Sequence, residues 1–182
     1  MKTSRTKKAI NEIESIERSH DWFGLVKESQ ADSDRGCSLL IAAFIEAHIE
    51  KLLRSVLIQR KSVVDPLFKY PGPLSTFGAK IRLAYCLRLV HDYEYRDLIR
   101  IQKIRNRFGH ELHGISFRKD REIGKLCQSL ESRKVEGLDT KGIPNRWLFW
   151  LTAYSIASDI DNRSLDEETE ERIAARPVFA NP

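Results

Sequence analysis

Glycine and proline are scarce in this chain, with nine glycines and six prolines among 182 residues. Several of them cluster between segments of helical periodicity, as at Pro66, Pro71, Gly72 and Pro73. The turns of a β-sandwich would instead recur about every ten residues. A chain of this length buries one sizeable core more readily than two. We therefore predict an all-α fold with a single multi-helix globular domain.

Long apolar runs are also absent. The longest extends from Leu39 to Ile45, far short of the roughly 20 residues that span a bilayer. Lys2, Arg5 and Lys7 stand near the amino terminus, but no apolar stretch follows them as a secretory signal requires. We expect a cytoplasmic protein that does not associate with membranes.

Residues that bind metals are few. The three cysteines, Cys37, Cys86 and Cys127, are far apart and each has apolar neighbours, so we predict reduced thiols in the core. The sequence has no Cys-x-x-Cys pair from which to build a zinc ribbon or a redox site. His110 and His113 stand three residues apart, but no third ligand accompanies them. We predict no metal and no cofactor.

The strongest helical pattern runs from residue 33 to about residue 60. Apolar residues recur there at steps of three and four, and the first half is apolar on nearly all sides, which predicts a central buried helix. Ser75, Asp92 and Asp120 are suited to cap further helices, and Pro144 to begin another. The predicted organisation is an amphipathic helical arm over 1–30, a helical core domain over 31–162 and an acidic tail over 163–182.

Positive charge is concentrated in one stretch, Arg96 to Arg121. The chain has a net charge of +5, and outside this stretch its basic and acidic residues balance. Against the acidic Asp97, Glu111 and Asp120 stand eight basic residues: Arg96, Arg100, Lys103, Arg105, Arg107, Arg118, Lys119 and Arg121. Because lysine and arginine contact phosphates, the stretch is a candidate nucleic-acid footprint.

Arg105 stands out within that stretch. At about 100° per residue it falls on the same helical stripe as Ile101 and Phe108, which places it on or beside a buried face. A guanidinium there needs a partner. One interpretation is structural, in which Arg105 pairs with a core carboxylate such as Glu46 or Glu50.

Two other interpretations give Arg105 a function. With the neighbouring amide of Asn106 and with His110 it could bind an anion or a nucleic acid. In the catalytic version His110 activates a ribose hydroxyl while Arg105 stabilises charge on phosphorus. Residues five apart point about 140° apart on an ideal helix. Arg105 and His110 would then converge only through a second chain or a bend at Gly109.

Three blocks carry a family resemblance: SDRGCSLL over 33–40, PLSTFGAKIRLAY over 73–85 and IRNRFGH over 104–110. In this order they resemble the family of the mannitol operon repressor, over roughly residues 33–112. The resemblance implies an all-helical protein of transcriptional repression from a family without a recognisable DNA-binding module. The sequence likewise has no pair of short helices joined by a tight glycine turn in a basic context. Regulation would then act through a protein partner or a small effector.

The spacing of Arg105 and His110 also resembles the motif of the HEPN helical superfamily, many of whose members are metal-independent RNases. That resemblance implies Arg105, Asn106 and His110 as catalytic residues shared across a homodimer. Relatives of the mannitol operon repressor tend to have an acidic residue where Arg107 stands and alanine where Gly109 stands. Both departures make this copy of the motif more basic and more easily bent.

The leading hypothesis is a non-enzymatic, repressor-like regulator that acts through a partner or effector. The alternative is a HEPN-like RNase. The candidate binding residues are Arg35, Arg105, Asn106, Arg107 and His110.

Overall fold

Six α-helices, and no strand, form the part of the chain that the structure describes. This computed structural model describes residues 32–111, 113–131 and 142–163, together with Gly24 and Ser29. The all-α prediction is confirmed, and none of the helices described is long and apolar enough to cross a bilayer. The rest of the predicted arm and the tail beyond residue 163 lie outside the described residues. The helices are α1 (Asp34–Val56), α2 (Lys61–Phe68), α3 (Phe77–Cys86), α4 (Asp92–His110), α5 (Arg121–Gln128) and α6 (Asn145–Arg163).

Helix α1 is the central helix, as its periodicity predicts. Ile41 and Ile49 on it are fully buried, and α3, α4 and α6 all pack against it. The helix begins where Ser33 caps it, because the Ser33 hydroxyl accepts a hydrogen bond from the backbone N–H of Gly36 at 3.1 Å. It ends at Val56, a few residues before the predicted end.

Helix α2 is absent from the sequence prediction, which treats Pro66 as a break. Pro66 instead lies inside the helix. A proline costs a helix one backbone hydrogen bond. The burial of Val64 and Phe68 against the rest of the core holds this eight-residue helix in place all the same.

Two predicted helix starts move by one residue. Thr76, and not Ser75, caps α3, since its hydroxyl accepts a hydrogen bond from the backbone N–H three residues later, at 3.3 Å. Helix α4 begins at Asp92 itself, and the backbone N–H of His91 before it donates to the Glu94 carboxylate at 2.7 Å. Glutamate in the first turn supplies this acceptor and also suits the positive end of the helix.

The prediction that the cysteines lie in the core is confirmed for two of the three. Cys37 and Cys127 are buried thiols, but Cys86 is exposed. Cys86 is the last residue of α3, where the helix leaves the core and its final turn meets solvent.

Candidate binding surface on helix α4

The inner stripe of α4 is fully buried and fixes the helix in the core. It consists of Leu98, Ile101, Ile104 and Phe108, each with no exposed surface. The helix continues without interruption through Gly109 to His110, so a bend at Gly109 does not bring Arg105 and His110 together. On such a helix Arg105 and His110 point about 140° apart and do not converge within one chain.

Arg105 is exposed, so of the two predicted placements it lies beside the buried face and not on it. One of its guanidinium nitrogens, Nη1, donates a hydrogen bond to Asn106 Oδ1 at 3.1 Å. No carboxylate of the described residues lies within 4.0 Å of the guanidinium. Position 105 is at the margin of the buried stripe, where a long side chain reaches water while its stem covers apolar surface.

Lys80 takes the structural role that was expected of Arg105. Its ammonium lies 2.8 Å from Glu46 Oε1 and 2.7 Å from Glu50 Oε2, and its side chain is only 6% exposed. Burial alone would lower the pKa of Lys80, but the hydrogen bonds to Glu46 and Glu50 outweigh it and raise that pKa. The sequence signal was the position of Lys80 between the apolar Phe77 and Ile81 of α3.

Arg107 joins α4 to the start of α5. Its Nη2 lies 3.0 Å from Asp120 Oδ2 and its Nη1 lies 2.8 Å from Glu122 Oε2. Asp120 also caps α5, as predicted, by accepting from the backbone N–H of Ile123 at 2.9 Å. The Arg107 guanidinium therefore forms ion pairs with two carboxylates of the same chain.

Arg35 connects the start of α1 to the end of α4. Its Nη2 donates a hydrogen bond to the carbonyl oxygen of Glu111, directly after α4. Next to it in sequence, Asp34 Oδ2 accepts from the backbone N–H of Phe117 at 2.9 Å, and Asp34 Oδ1 from Arg146 Nη1 at 2.9 Å. Cationic donors near the last carbonyls of a helix complement its dipole.

Two buried carboxylates on α4 were not predicted from the sequence. Glu94 and Asp97 have no exposed surface. Glu94 Oε1 accepts from Arg163 Nη2 on α6, and Asp97 Oδ2 accepts from the backbone N–H of Glu131 at 2.8 Å. Steps of three and four residues connect Glu94 and Asp97 to Ile101 on the buried stripe, and this spacing is the signal that could have revealed them.

Ion pairs within the chain reduce the number of basic residues that are available to contact a nucleic acid. Arg96 Nη2 lies 2.7 Å from Glu131 Oε2, and Arg100 Nη1 lies 2.7 Å from Asp97 Oδ1 and 3.0 Å from Glu131 Oε1. The hydrogen bonds from Arg96 and Arg100 lower the pKa of Glu131 to about 2. With Arg107 also paired, the exposed basic residues left in this stretch are Lys103, Arg105, Arg118, Lys119 and Arg121.

The solvent side of α4 carries its remaining polar groups. Asn106 there is half-buried, and the other members are exposed. These residues do not share one direction, since Arg105 points about 140° away from His110, but the Arg105 guanidinium reaches back to Asn106. We call the solvent-exposed surface of the last two turns of α4 the outer face of α4, and it consists of Lys103, Arg105, Asn106 and His110.

The comparison with protein families identifies the chain. The model of the family described as mannitol repressor matches residues 24–141, well over half of the sequence. The chain belongs to the mannitol repressor family. The match includes α1 to α5 and hence the whole outer face of α4, and it confirms the resemblance seen in the sequence. No curated protein and no solved structure matches this member of the mannitol repressor family.

Proposed function

We propose that this chain is a repressor-type regulator that acts by binding an acidic protein partner through the outer face of α4, and not by reading an operator itself. One contrast supports the proposal. The other three arginines of α4, Arg96, Arg100 and Arg107, each pair with a carboxylate. Arg105 and Lys103 have no such neighbour within the described part of the chain.

The outer face has the chemistry of a protein interface. Arginine is enriched at such interfaces and binds carboxylates through two parallel hydrogen bonds. The 3.1 Å contact with Asn106 Oδ1 already restrains the Arg105 side chain. Restraint before binding reduces the side-chain entropy that is lost on association.

The start of α4 is poorly suited to reading DNA. A recognition helix contacts base edges through its N-terminal residues. Here the first turn presents the exposed, acidic Asp92 to solvent, and its charge would repel phosphates. This placement favours a partner-mediated mechanism.

The test compares Arg105→Glu with the matched control Lys69→Glu, which reverses an exposed charge in the connection after α2. In a strain lacking the chromosomal copy, repression of a mannitol-operon reporter should fail with Arg105→Glu and persist with Lys69→Glu. The melting temperatures of both variants should stay close to wild type, because surface substitutions usually change stability by less than about 0.5 kcal/mol.

Two results would replace this proposal. The first is a gel shift of operator DNA by the purified chain that weakens steeply with salt and disappears in Arg105→Glu, since phosphate contacts produce that slope. The second is RNA cleavage by the wild type that is lost in His110→Ala, which would support the RNase alternative.

A further inference from the structure

A groove of about 610 Å³ lies where α3 passes into α4, at the opposite end of α4 from the outer face. Its volume falls within the range of about 300 to 1,000 Å³ typical of small-ligand sites. None of its residues belongs to the proposed partner surface. The lining residues that matter for its chemistry are Tyr85, Arg88, Val90, His91, Asp92 and Tyr93.

Arg88 has an unusual backbone conformation, with a φ of 58°. It ends α3 in a Schellman motif, in which the N–H of Leu89 donates to the carbonyl of Ala84 and the N–H of Arg88 to that of Tyr85, both at 2.9 Å. Glycine is usual at this position because a Cβ atom is strained there. Strained residues cluster at ligand sites, where their side chains are needed. Arg88 is exposed and faces solvent at the groove.

The groove combines groups that bind anions with groups that bind hydroxyls. Arg88 and His91 both line it and carry N–H donors for an anion. The Asp92 carboxylate accepts the Tyr85 hydroxyl at 2.9 Å, which holds it in place to accept a ligand hydroxyl as well. The hydrogen bond to Asp92 also raises the pKa of Tyr85 and keeps its phenol protonated.

Stacked rings form the walls of the groove. Tyr85 stacks on Tyr95, with ring centroids 4.2 Å apart and planes 19° apart. His91 stacks on Tyr93 at 5.5 Å and 17°. Stacked rings are less free to move than single ones, and Tyr85, His91 and Tyr93 supply aromatic surface for the C–H bonds of a ligand.

We propose that this groove is an effector site for a small phosphorylated polyol, with Arg88 binding the phosphate and Asp92 a hydroxyl. An uncharged polyol would offer no anion to Arg88, and free phosphate would offer neither a polyol hydroxyl to Asp92 nor C–H bonds to the aromatic rings. The regulatory meaning of this site rests on the proposed function, but the binding does not require the partner.

The family description names mannitol, so the probes are mannitol 1-phosphate, mannitol and inorganic phosphate, titrated calorimetrically into the full chain at constant ionic strength. Mannitol 1-phosphate should bind at least about tenfold more tightly than either of the others, as expected for loss of one charged hydrogen bond. Equal binding of mannitol or of inorganic phosphate would overturn the proposal, as would no binding of the phosphate ester.

The variant Arg88→Gly distinguishes an effect on ligand affinity from an effect on the stability of the fold. Glycine relieves the left-handed strain, so the melting temperature should rise while the affinity for mannitol 1-phosphate falls about tenfold or more. The control Arg82→Ala removes an exposed arginine on α3 itself, whose guanidinium donates to the carbonyl of Gly78 at 3.1 Å outside the groove. It should leave the affinity unchanged. Unchanged affinity in Arg88→Gly would overturn the proposal.

Cys86 provides a second readout because it is exposed and lines the groove, whereas Cys37 and Cys127 are buried. Mannitol 1-phosphate should slow alkylation of Cys86 in the native chain, and equal slowing by mannitol would contradict the phosphate contact. Arg105→Glu should bind the phosphate ester normally. A failed reporter test with successful titrations would therefore reject the partner surface and retain the effector site.

Discussion

Lys80 is the buried cation that connects α3 to α1, and Lys80→Met removes its charge at nearly constant volume. Loss of one partner from a fully buried ion pair costs about 3–5 kcal/mol. The Lys80 side chain is 6% exposed, but the side chains of Glu46 and Glu50 are each 29% exposed and keep part of their hydration. We therefore expect the free energy of unfolding to fall by a smaller amount, about 2–3 kcal/mol.

Urea unfolding followed by circular dichroism measures this loss. It should be accompanied by a fall in melting temperature of about 2–4 °C for each kcal/mol. The matched control Arg105→Met removes an exposed cation and should change stability by less than about 0.5 kcal/mol. Adding Glu46→Gln and Glu50→Gln to Lys80→Met should restore part of the loss, because the carboxylates left without their cation disappear. Equal effects of Lys80→Met and Arg105→Met would refute the reasoning.

The same ion pairs limit stability at both ends of the pH range. Burial would raise the pKa of Glu50, but hydrogen bonds from Lys80 and Arg54 outweigh it and lower that pKa. The contribution of Glu50 is thus present above its usual pKa and is lost as the pH falls through the lowered value. The raised pKa of Lys80 gives a contribution that is present below its usual pKa and lost as the pH rises through the raised value. Lys80→Met should remove this alkaline loss.

Two further variants test helix α4 and the ion pairs that it makes with Glu131. Gly109→Ala should stabilise the fold by about 0.5–1 kcal/mol, because Gly109 lies in α4 and a Cβ there would meet nothing within 4 Å; an unchanged or lower urea midpoint would contradict this. The pKa of Glu131 falls from 4.5 to about 2 beside Arg96 and Arg100, so its contribution is present above pH 4.5 and lost as the pH falls toward 2. Glu131→Gln should flatten the fall in melting temperature over that interval, and an unaltered slope would exclude the ion pairs as its cause.

Hydrophobic periodicity predicted the helices in which buried residues recur at regular helical spacing. Helix α1 illustrates this, since Ile41, Ile45 and Ile49 recur every four residues and are all fully buried. Helix α2 was missed because Pro66 is a local signal against helix, whereas the burial of Phe68 that holds α2 comes from packing. Local patterns do not contain such tertiary contacts.

The candidate site was harder to predict because charge partners come from distant parts of the sequence. Lys80 and Arg105 are both cations beside apolar stripes, and only the packing of α3 on α1 decides that Lys80 meets Glu46. Counting charges from Arg96 to Arg121 likewise omits Glu131, which lies outside the stretch and pairs with Arg96 and Arg100. The linear count therefore overstated the basic surface.

Arg107 and Gly109, the two residues expected to distinguish this motif, do not reshape the outer face of α4. Arg107 was expected to make the motif more basic, but Asp120 and Glu122 of the same chain bind its guanidinium. Gly109 was expected to make the helix easier to bend, and α4 passes through it unbroken. A functional feature of this chain is more informatively sought at a residue whose side chain lowers the stability of the fold. Arg88 meets that condition, since it occupies a position that favours glycine, and its replacement by glycine should expose the cost directly.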